Sequence, residues 1–594
     1  MEGLLRLIRA RRARSRDLRL SPRERRFTIR RVRACRGLLL LGPLAVAALA
    51  AACGSSPSSY SAFDAGPDVA AGDAKPSLDA NGGDAPCLSC VETGPITWSD
   101  FPPQPIDDAP DAGAAAPPSS GQLFGPPSQG AQSGGPCLVE PEVGSLYPKN
   151  WLRPRFGWIA PGGENLFELR LHVANQTSDL VVYTAQTQWT MPKAMWDALR
   201  GHSNDVPMTV TVRGGVLSGG ALSGEALGSS GPLGIAPVEA PGKVVYWSIL
   251  PSPGTTALKG FAIGDESVTP VLTPAQVTEV STSCIGCHTA TPDGDYASFA
   301  SSSNNWQNAF GDVQAGQAGA APTWLGAAGK AAVESAQMGI HTFSPAHWSP
   351  GDRIEISAHD PPDDGSSELV WVDLEAASGT AMGTIARTGD PNHAGAPSWS
   401  HDGTTIAYVS TNANRDGRLD DGAADVWTVP YANKAGGAAN PLPGASANGK
   451  RNFYPSWSPD DRLVAFDEVT SGSMYNNASD EIFVVPGKGG SATRLAANDP
   501  PACSGKKSPG VTNSWPKWAP TPGTTSDGRT FYWVVFSSTR DTSGNPQLYV
   551  TPVVVDGSGK TTTYAALYLW NQPASENNHT PAWDNFQIPT PPPQ

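Results

Sequence analysis

Charge is scarce in this 594-residue sequence: 16% of its residues are Asp, Glu, Lys or Arg, against ~25% in an ordinary globular chain. Together with 39% hydrophobic residues and 18 Trp, that scarcity excludes a long coiled coil and a wholly disordered protein. Basic residues are scarcer still beyond position 52. Residues 1–52 hold 14 Arg against three acids (Glu2, Asp17 and Glu24), and the remainder holds 27 basic and 52 acidic residues. So acidic a surface repels nucleic acid and anionic membranes, which disfavours nucleic-acid binding. Long apolar runs are missing too, apart from one near the N-terminus, so no later segment is long enough to span a bilayer. What is abundant is Gly (64) and Pro (57), which points to β structure with long loops. The length corresponds to roughly four domains, fewer if they are β-rich.

The single apolar run follows the Arg-rich stretch, from Gly37 to Ala52, and ends Leu49-Ala50-Ala51-Ala52-Cys53-Gly54. It has the length of a signal-peptide core rather than of a membrane span. Small residues before Cys53 resemble a bacterial lipoprotein signal, with Ala50 in the place usually held by Leu. The resemblance implies removal of residues 1–52, lipidation of Cys53 and export to the bacterial cell envelope, periplasm or outer membrane. Residues 53–136 are rich in Ala, Gly, Pro, Ser and Asp. Such a segment buries too little apolar surface to offset its ordering entropy and is expected to be a disordered tether. Within it, Cys87-Leu88-Ser89-Cys90 reads as a local disulfide rather than a zinc half-site, because no second pair of ligands follows.

From Cys137 the pattern turns to short alternating runs: Arg155 to Trp158, Leu166 to Val173, Leu180 to Thr184 and Pro207 to Val212. These predict strands, with a helical turn or two over Pro192 to Leu199. The fold class expected is all-β: an immunoglobulin- or fibronectin-like sandwich over 137–240, followed by a β-propeller over 241–594. His172 and His202 are read as structural.

The propeller reading rests on a repeat. Pro345-Ala346-His347-Trp348-Ser349-Pro350, Pro397-Ser398-Trp399-Ser400-His401-Asp402-Gly403 and Pro455-Ser456-Trp457-Ser458-Pro459-Asp460 are three copies of one motif. Looser copies lie at Trp518, Trp583 and Thr291-Pro292-Asp293-Gly294, the last with Ala290 in the Trp place. Each leads into an apolar strand. The unit resembles the TolB-type propeller repeat over about half the chain. Six motifs imply six blades. The last motif lacks strands after it and residues 243–273 lack an inner strand before them, so closure of the ring by their pairing is expected.

Cys284-Ile285-Gly286-Cys287-His288 is CxxCH. Two thiols at this spacing can form thioethers to both haem vinyl groups, and the adjacent His supplies the proximal iron ligand. The motif resembles c-type cytochromes and implies one covalent haem c. The same residues would also serve as a reducible disulfide beside an ordinary histidine. Aligned on the repeat, they occupy an inner-strand position, with His341, His579 and Met338 as candidates for the distal ligand. A haem-bearing TolB-like propeller is similar in architecture to the middle part of the hydrazine synthase alpha subunit, from which no catalytic residue carries over.

Asn412-Ala413-Asn414-Arg415-Asp416-Gly417 follows the spacing of a calcium loop, but Ala423 stands where a bidentate acid belongs; the competing reading is an Asx-rich hairpin. Cys137 and Cys503 remain, and their pairing would staple sandwich to propeller. The function expected is one-electron transfer by a lipid-anchored monohaem protein, with a redox protein or small molecule as partner. The alternatives are a haem enzyme or sensor acting on a small molecule and a protein-binding scaffold with structural haem. No Ser-His-Asp spacing, phosphate loop or HExxH motif argues for a hydrolase.

Overall fold

Six antiparallel sheets, with one short parallel pairing of Arg387–Thr388 and Gly437–Ala438, make up residues 243–584 in the computed structural model. The structure describes residues 97–589 except 111–112, 252–254, 279, 302–307, 315–316, 318, 336–337, 340, 360–366, 413–422 and 474–475. Cys53, the Cys87–Cys90 pair, Asn414 and Asp416 lie outside the described residues. Among those described, no helix is long and apolar enough to cross a membrane.

Blade 1 pairs Ile285–Ala290, Tyr296–Ser301 and Asn308–Asp312. Blades 3, 4 and 5 open with inner strands His393–Trp399, Arg451–Trp457 and Ser514–Trp518. Blade 2 has a broken inner segment: bridges at Met338 and Thr342, then a 3-10 turn Pro345–His347 leading to Trp348–Ser349. Blade 6 joins the two ends of the ring. Its inner strand Asn577–Asp584 pairs with Lys243–Ile249, with Trp583 opposite Val244 and His579 opposite Trp247. The chain then continues outward through Thr256–Ala262 and Thr269–Leu272. The closure expected from the two incomplete fragments is the one observed.

The repeated motif has a mechanical explanation. Its Ser and Asp close the turn, Ser400 Oγ donating to Asp402 at 2.7 Å and Ser458 Oγ to Asp460 at 2.9 Å. In three blades its Trp staples the blade to the previous one. The indole of Trp348 donates to Asp293 at 2.7 Å, that of Trp457 to the Ser398 carbonyl at 3.1 Å, and that of Trp518 to the Ser456 carbonyl at 2.8 Å. The six motifs surround a shared polar cavity of about 170 Å³ at one end of the central channel, with Ala290, Pro345, Trp399, Trp457, Trp518 and Trp583 among its lining.

Ahead of the ring, strands at 106–107, 146–147, 166–173, 180–184, 208–218 and 221–235 make one sheet, and 137–140, 155–159 and 188–190 make another. Helix Lys193–His202 buries Trp196 and Leu199. His172 and His202 each meet a carboxylate through Nδ1, Asp179 at 2.9 Å and Asp100 at 2.8 Å. This unit is not separate from the ring. One apolar cluster runs from Leu138, Trp158 and Leu169 through Tyr246 and Phe261 to Trp533, Leu548 and Trp583. A Cys137–Cys503 disulfide and a buried Arg540–Glu142 pair at 2.9 Å join the same two parts.

The tether expected over 53–136 ends sooner. Trp98 stacks on His202 at 3.6 Å, Phe101 and Phe124 are buried, and Ile106–Asp107 adds a parallel strand beside Val182–Tyr183. The average composition of this stretch conceals single aromatic anchors that each find a pocket. Asn412, at the start of the expected calcium loop, accepts a hydrogen bond from the Ala423 amide at 2.7 Å; the loop between them lies outside the described residues.

Deleting residues 577–594 should leave Lys243–Ile249 as an open edge. We expect such a chain to aggregate or to be cut rapidly by protease, as read by size-exclusion chromatography and limited proteolysis. Cys137→Ser with Cys503→Ser should destabilise by ~2–4 kcal/mol while keeping the fold, measured by chemical denaturation.

Candidate functional site

Four of the inner strands carry the same irregularity. Ladder register shifts at Gly286/His288, Gly395/Ser398, Phe453/Ser456 and Ser514/Lys517. At these bulges Cys287, Ala396, Tyr454 and Trp515 have φ of 39°, 41°, 47° and 61°, and Thr580 in blade 6 has 45°. Each stands three residues before the motif Trp or, in blade 1, before Ala290. Ala396, Tyr454 and Trp515 share one cluster drawn from blades 3, 4 and 5, with Tyr454 and Trp515 stacked at 3.8 Å. Cys287 occupies the same position in blade 1, half-buried. A β-bulge bends the strand and re-aims a side chain, and in blade 1 the residue at the bulge is the second cysteine of CxxCH.

His288 follows on the seam between blades 1 and 6. Its ring is 7% exposed, and Nε2 donates to the Val245 carbonyl at 3.0 Å. That bond places the proton on Nε2 and leaves Nδ1 as an acceptor, buried with no hydrogen-bond partner. Burial pushes the imidazole down to about 4, against the Val245 hydrogen bond and helped by the Lys517 ammonium. His579 comes close enough from the C-terminal strand for the two rings to act on each other. It too is pushed down to about 4, first by burial and then by His288. Trp247 covers His579, ring centres 4.6 Å apart. A Cβ added to Gly286 would meet that indole at 3.0 Å, so the second x of CxxCH must be small.

The structure thus gathers Cys287, His288 and His579 at one seam. Cys284, at the head of the strand, is fully buried and disulfide-bonded. It does not bring in His341 or Met338. His341 sits one junction away, its Nδ1 2.7 Å from Ser298 Oγ and 3.1 Å from the Glu355 carboxylate. Met338 is 2% exposed in an apolar cluster with Phe310, Phe343 and Val370. Packing between blades 1 and 2 accounts for its burial. Among the described residues no group of three or more His, Cys, Asp or Glu side chains is arranged to hold a metal ion.

Residues that sequence reasoning passed over complete the surroundings. Trp247 and Val245 read only as strand residues. Asp467 and Asp480 are wholly buried between blades 4 and 5, and burial raises both carboxyls, Asp467 to about 8. Ser514 Oγ donates to Asp467 at 2.7 Å. An acid inside the apolar run Leu463-Val464-Ala465-Phe466-Asp467 was the available signal.

As a cofactor site, the seam offers the donors a c-type haem takes, two thiols and an imidazole, and a buried nitrogen without a partner. Two features must change for haem to attach: the Cys284 disulfide must be reduced, and His288 must leave the Val245 carbonyl wherever Nε2 is the ligand atom.

No family model matches this chain, and no curated protein matches it. Among solved structures it is similar to hydrazine synthase of Kuenenia stuttgartiensis, with 13% identity over 47% of this chain and 73% of that one, TM-score 0.26. Others are a putative 6-phosphogluconolactonase of Bacteroides fragilis, 11% over 68% and 95%, TM-score 0.28, and the GH74 enzyme of Niastella koreensis, 9% over 55% and 57%, TM-score 0.28. Alignments this loose carry no argument about activity. The β-propeller rests on the strand pairing itself.

The two seam histidines give a pH test on the haem-free protein. Their folded pKa lies below the unfolded 6.5, so the stability tied to their neutral forms is complete above 6.5 and lost as pH falls through 4. NMR titration should find both rings neutral at pH 5.5, and the unfolding free energy should fall over that window by less in His579→Gln than in wild type.

Proposed function

We propose that the chain is an exported, lipid-tethered TolB-type propeller that carries one covalent c-type haem at Cys284, Cys287 and His288 and serves in one-electron transfer. The observation that carries this reading is the seam: the CxxCH histidine and His579 lie together as buried neutral imidazoles, the protonation state in which imidazole binds a metal. Bound haem would supply the one-electron couple. The chain's own part is to hold and insulate it. Cys287 and Cys284 would anchor it, His288 and His579 would hold its iron, and Trp247 would fix the His579 ring. Burial of the seam keeps water from both nitrogens. A redox protein or small molecule is the partner this reading requires.

A second reading has its own support. Blade 1 carries Ala290 where the other motifs carry the stapling Trp, and the hydrogen bond from His288 to Val245 bridges that junction instead. On this reading CxxCH is a structural clasp: an imidazole staple and a disulfide at Cys284.

Co-expression with cytochrome maturation machinery separates the two. Haem should survive denaturing electrophoresis in wild type and vanish in Cys284→Ala/Cys287→Ala. His579→Ala should convert a low-spin spectrum to high spin, and His341→Ala should leave it unchanged. Wild type without covalent haem sinks the first reading. The clasp reading then expects His288→Ala to cost ~1 kcal/mol of stability or more, the worth of a buried hydrogen bond.

A further inference from the structure

A second site lies away from the channel, where the smaller sheet of the N-terminal unit meets the ring. A half-open cleft of about 480 Å³ is bounded by Glu140, Arg155 and Ile159 on one side and by Pro501, Arg540 and Tyr568 on the other. That is within the ~300–1,000 Å³ of small-molecule sites, which favour junctions between domains.

Its walls are rigid and electrically balanced. Arg155 donates from Nε and Nη2 to one Glu140 oxygen at 2.9 and 2.6 Å and lies over the Tyr568 ring at 5.7 Å. Arg540 donates to Glu142 at 2.9 Å and to Asn513 at 2.7 Å. Lys506 and Asp541 also line the cleft, and its three charged side chains of each sign cancel, so it does not select an ion. What it lacks is a partner for the other Glu140 oxygen. Oε1 is buried with no hydrogen bond, on a residue 9% exposed. Burial lifts that carboxyl to about 7, the mark of an acceptor taken from water without full compensation. Beside it Arg155 keeps Nη1 as a donor that no hydrogen bond among the described residues uses. Ile159, also on the wall, is 38% exposed and is the one exposed large apolar side chain among the described residues.

The occupant must be neutral, must donate to Glu140 and accept from Arg155 within a few ångströms, and must present a C–H face to Ile159 and Tyr568. Hydroxyls on a ring do all of this, because each both donates and accepts. An extended peptide fits less well. The strand edge it would join, Cys137–Glu140, is interrupted by a bulge between Leu138 and Glu140 and followed by Pro141, which has no N–H to offer. We propose that this interdomain cleft binds a short neutral saccharide, its hydroxyls bridging Glu140 and Arg155 and its ring carbons against Ile159 and Tyr568. This is independent of the haem reading.

The test is saturation-transfer NMR on the mature full chain with cellotriose, maltotriose and chitotriose, each at ~10 mM, where even a millimolar ligand occupies most sites. At least one sugar should show transfer to its ring C–H protons. Glu140→Gln, which removes the charged acceptor, should weaken binding about tenfold. Ile159→Ser, at an exposed position that folding tolerates, should weaken it several-fold with an unchanged melting temperature. No transfer with any of the three sugars overturns the proposal. So does binding that both variants retain in full, or displacement of the sugar by a seven-residue Thr-Val peptide but not by a second sugar.

Discussion

The ring depends on a single antiparallel pairing, Asn577–Asp584 against Lys243–Ile249. Five blades come from consecutive chain and hold themselves locally, but blade 6 exists only when segments more than three hundred residues apart meet. Closure removes two open edges together, which is why a propeller tolerates no half-formed state of this seam. The N-terminal unit reinforces it. Tyr246, Phe261 and Trp583 from blade 6 share one apolar cluster with Trp158 and Leu169, and Trp583 donates its indole hydrogen to the Pro241 carbonyl at 2.8 Å. Unit and seam therefore stand or fall together.

The seam is also where the repeat breaks its own rule. In blades 2, 4 and 5 the motif Trp reaches back to the preceding blade, whereas Trp399 donates within its own turn to Gly403 and Trp583 donates to Pro241. At Ala290 there is no indole, and the space beside blade 6 is left to His288, His579 and Trp247. A polar substitute costs more than an apolar staple, since an imidazole nitrogen is buried without a partner at His288 Nδ1. Structure alone does not require that cost, because three of the six motifs join their blades through a Trp indole. The departure is the physical reason to look for a role at this blade rather than at any other.

Much of the ring could be read from the sequence because its signals are local and repeated. The Pro-x-Trp-Ser spacing, the Ser–Asp turn at 400–402 and the apolar strand after it recur at fixed offsets, and the two unmatched fragments required each other. The bulge could not be read. Nothing in Cys287, Ala396, Tyr454 or Trp515 shares a side-chain type, since the positive φ is imposed by the ladder and not by the residue. Nor could the distal candidates be ranked. His341 and His579 fall in comparable segments, and only the three-dimensional path of the ring sets one beside His288 and gives the other to Ser298 and Glu355. Met338 reads as a ligand candidate because sulfur can be one, and a thioether equally fills core gaps. The cleft at Glu140 was hidden for another reason: its walls come from residues near 140, 158, 501, 540 and 568, with no pattern linking them.

Burial at the seam also constrains the order of events if haem is attached there. Cys284 and Ile285 are inaccessible once the strand Ile285–Ala290 lies between its neighbours, and a maturation enzyme works on thiols it can reach. Attachment must therefore precede closure, while residues 577–584 are still unpaired and Cys284 is still reduced. In the arrangement seen here Cys284 is disulfide-bonded and His288 is committed to Val245. If haem is attached at this motif, the cofactor would have to reach CxxCH before the C-terminal strand does.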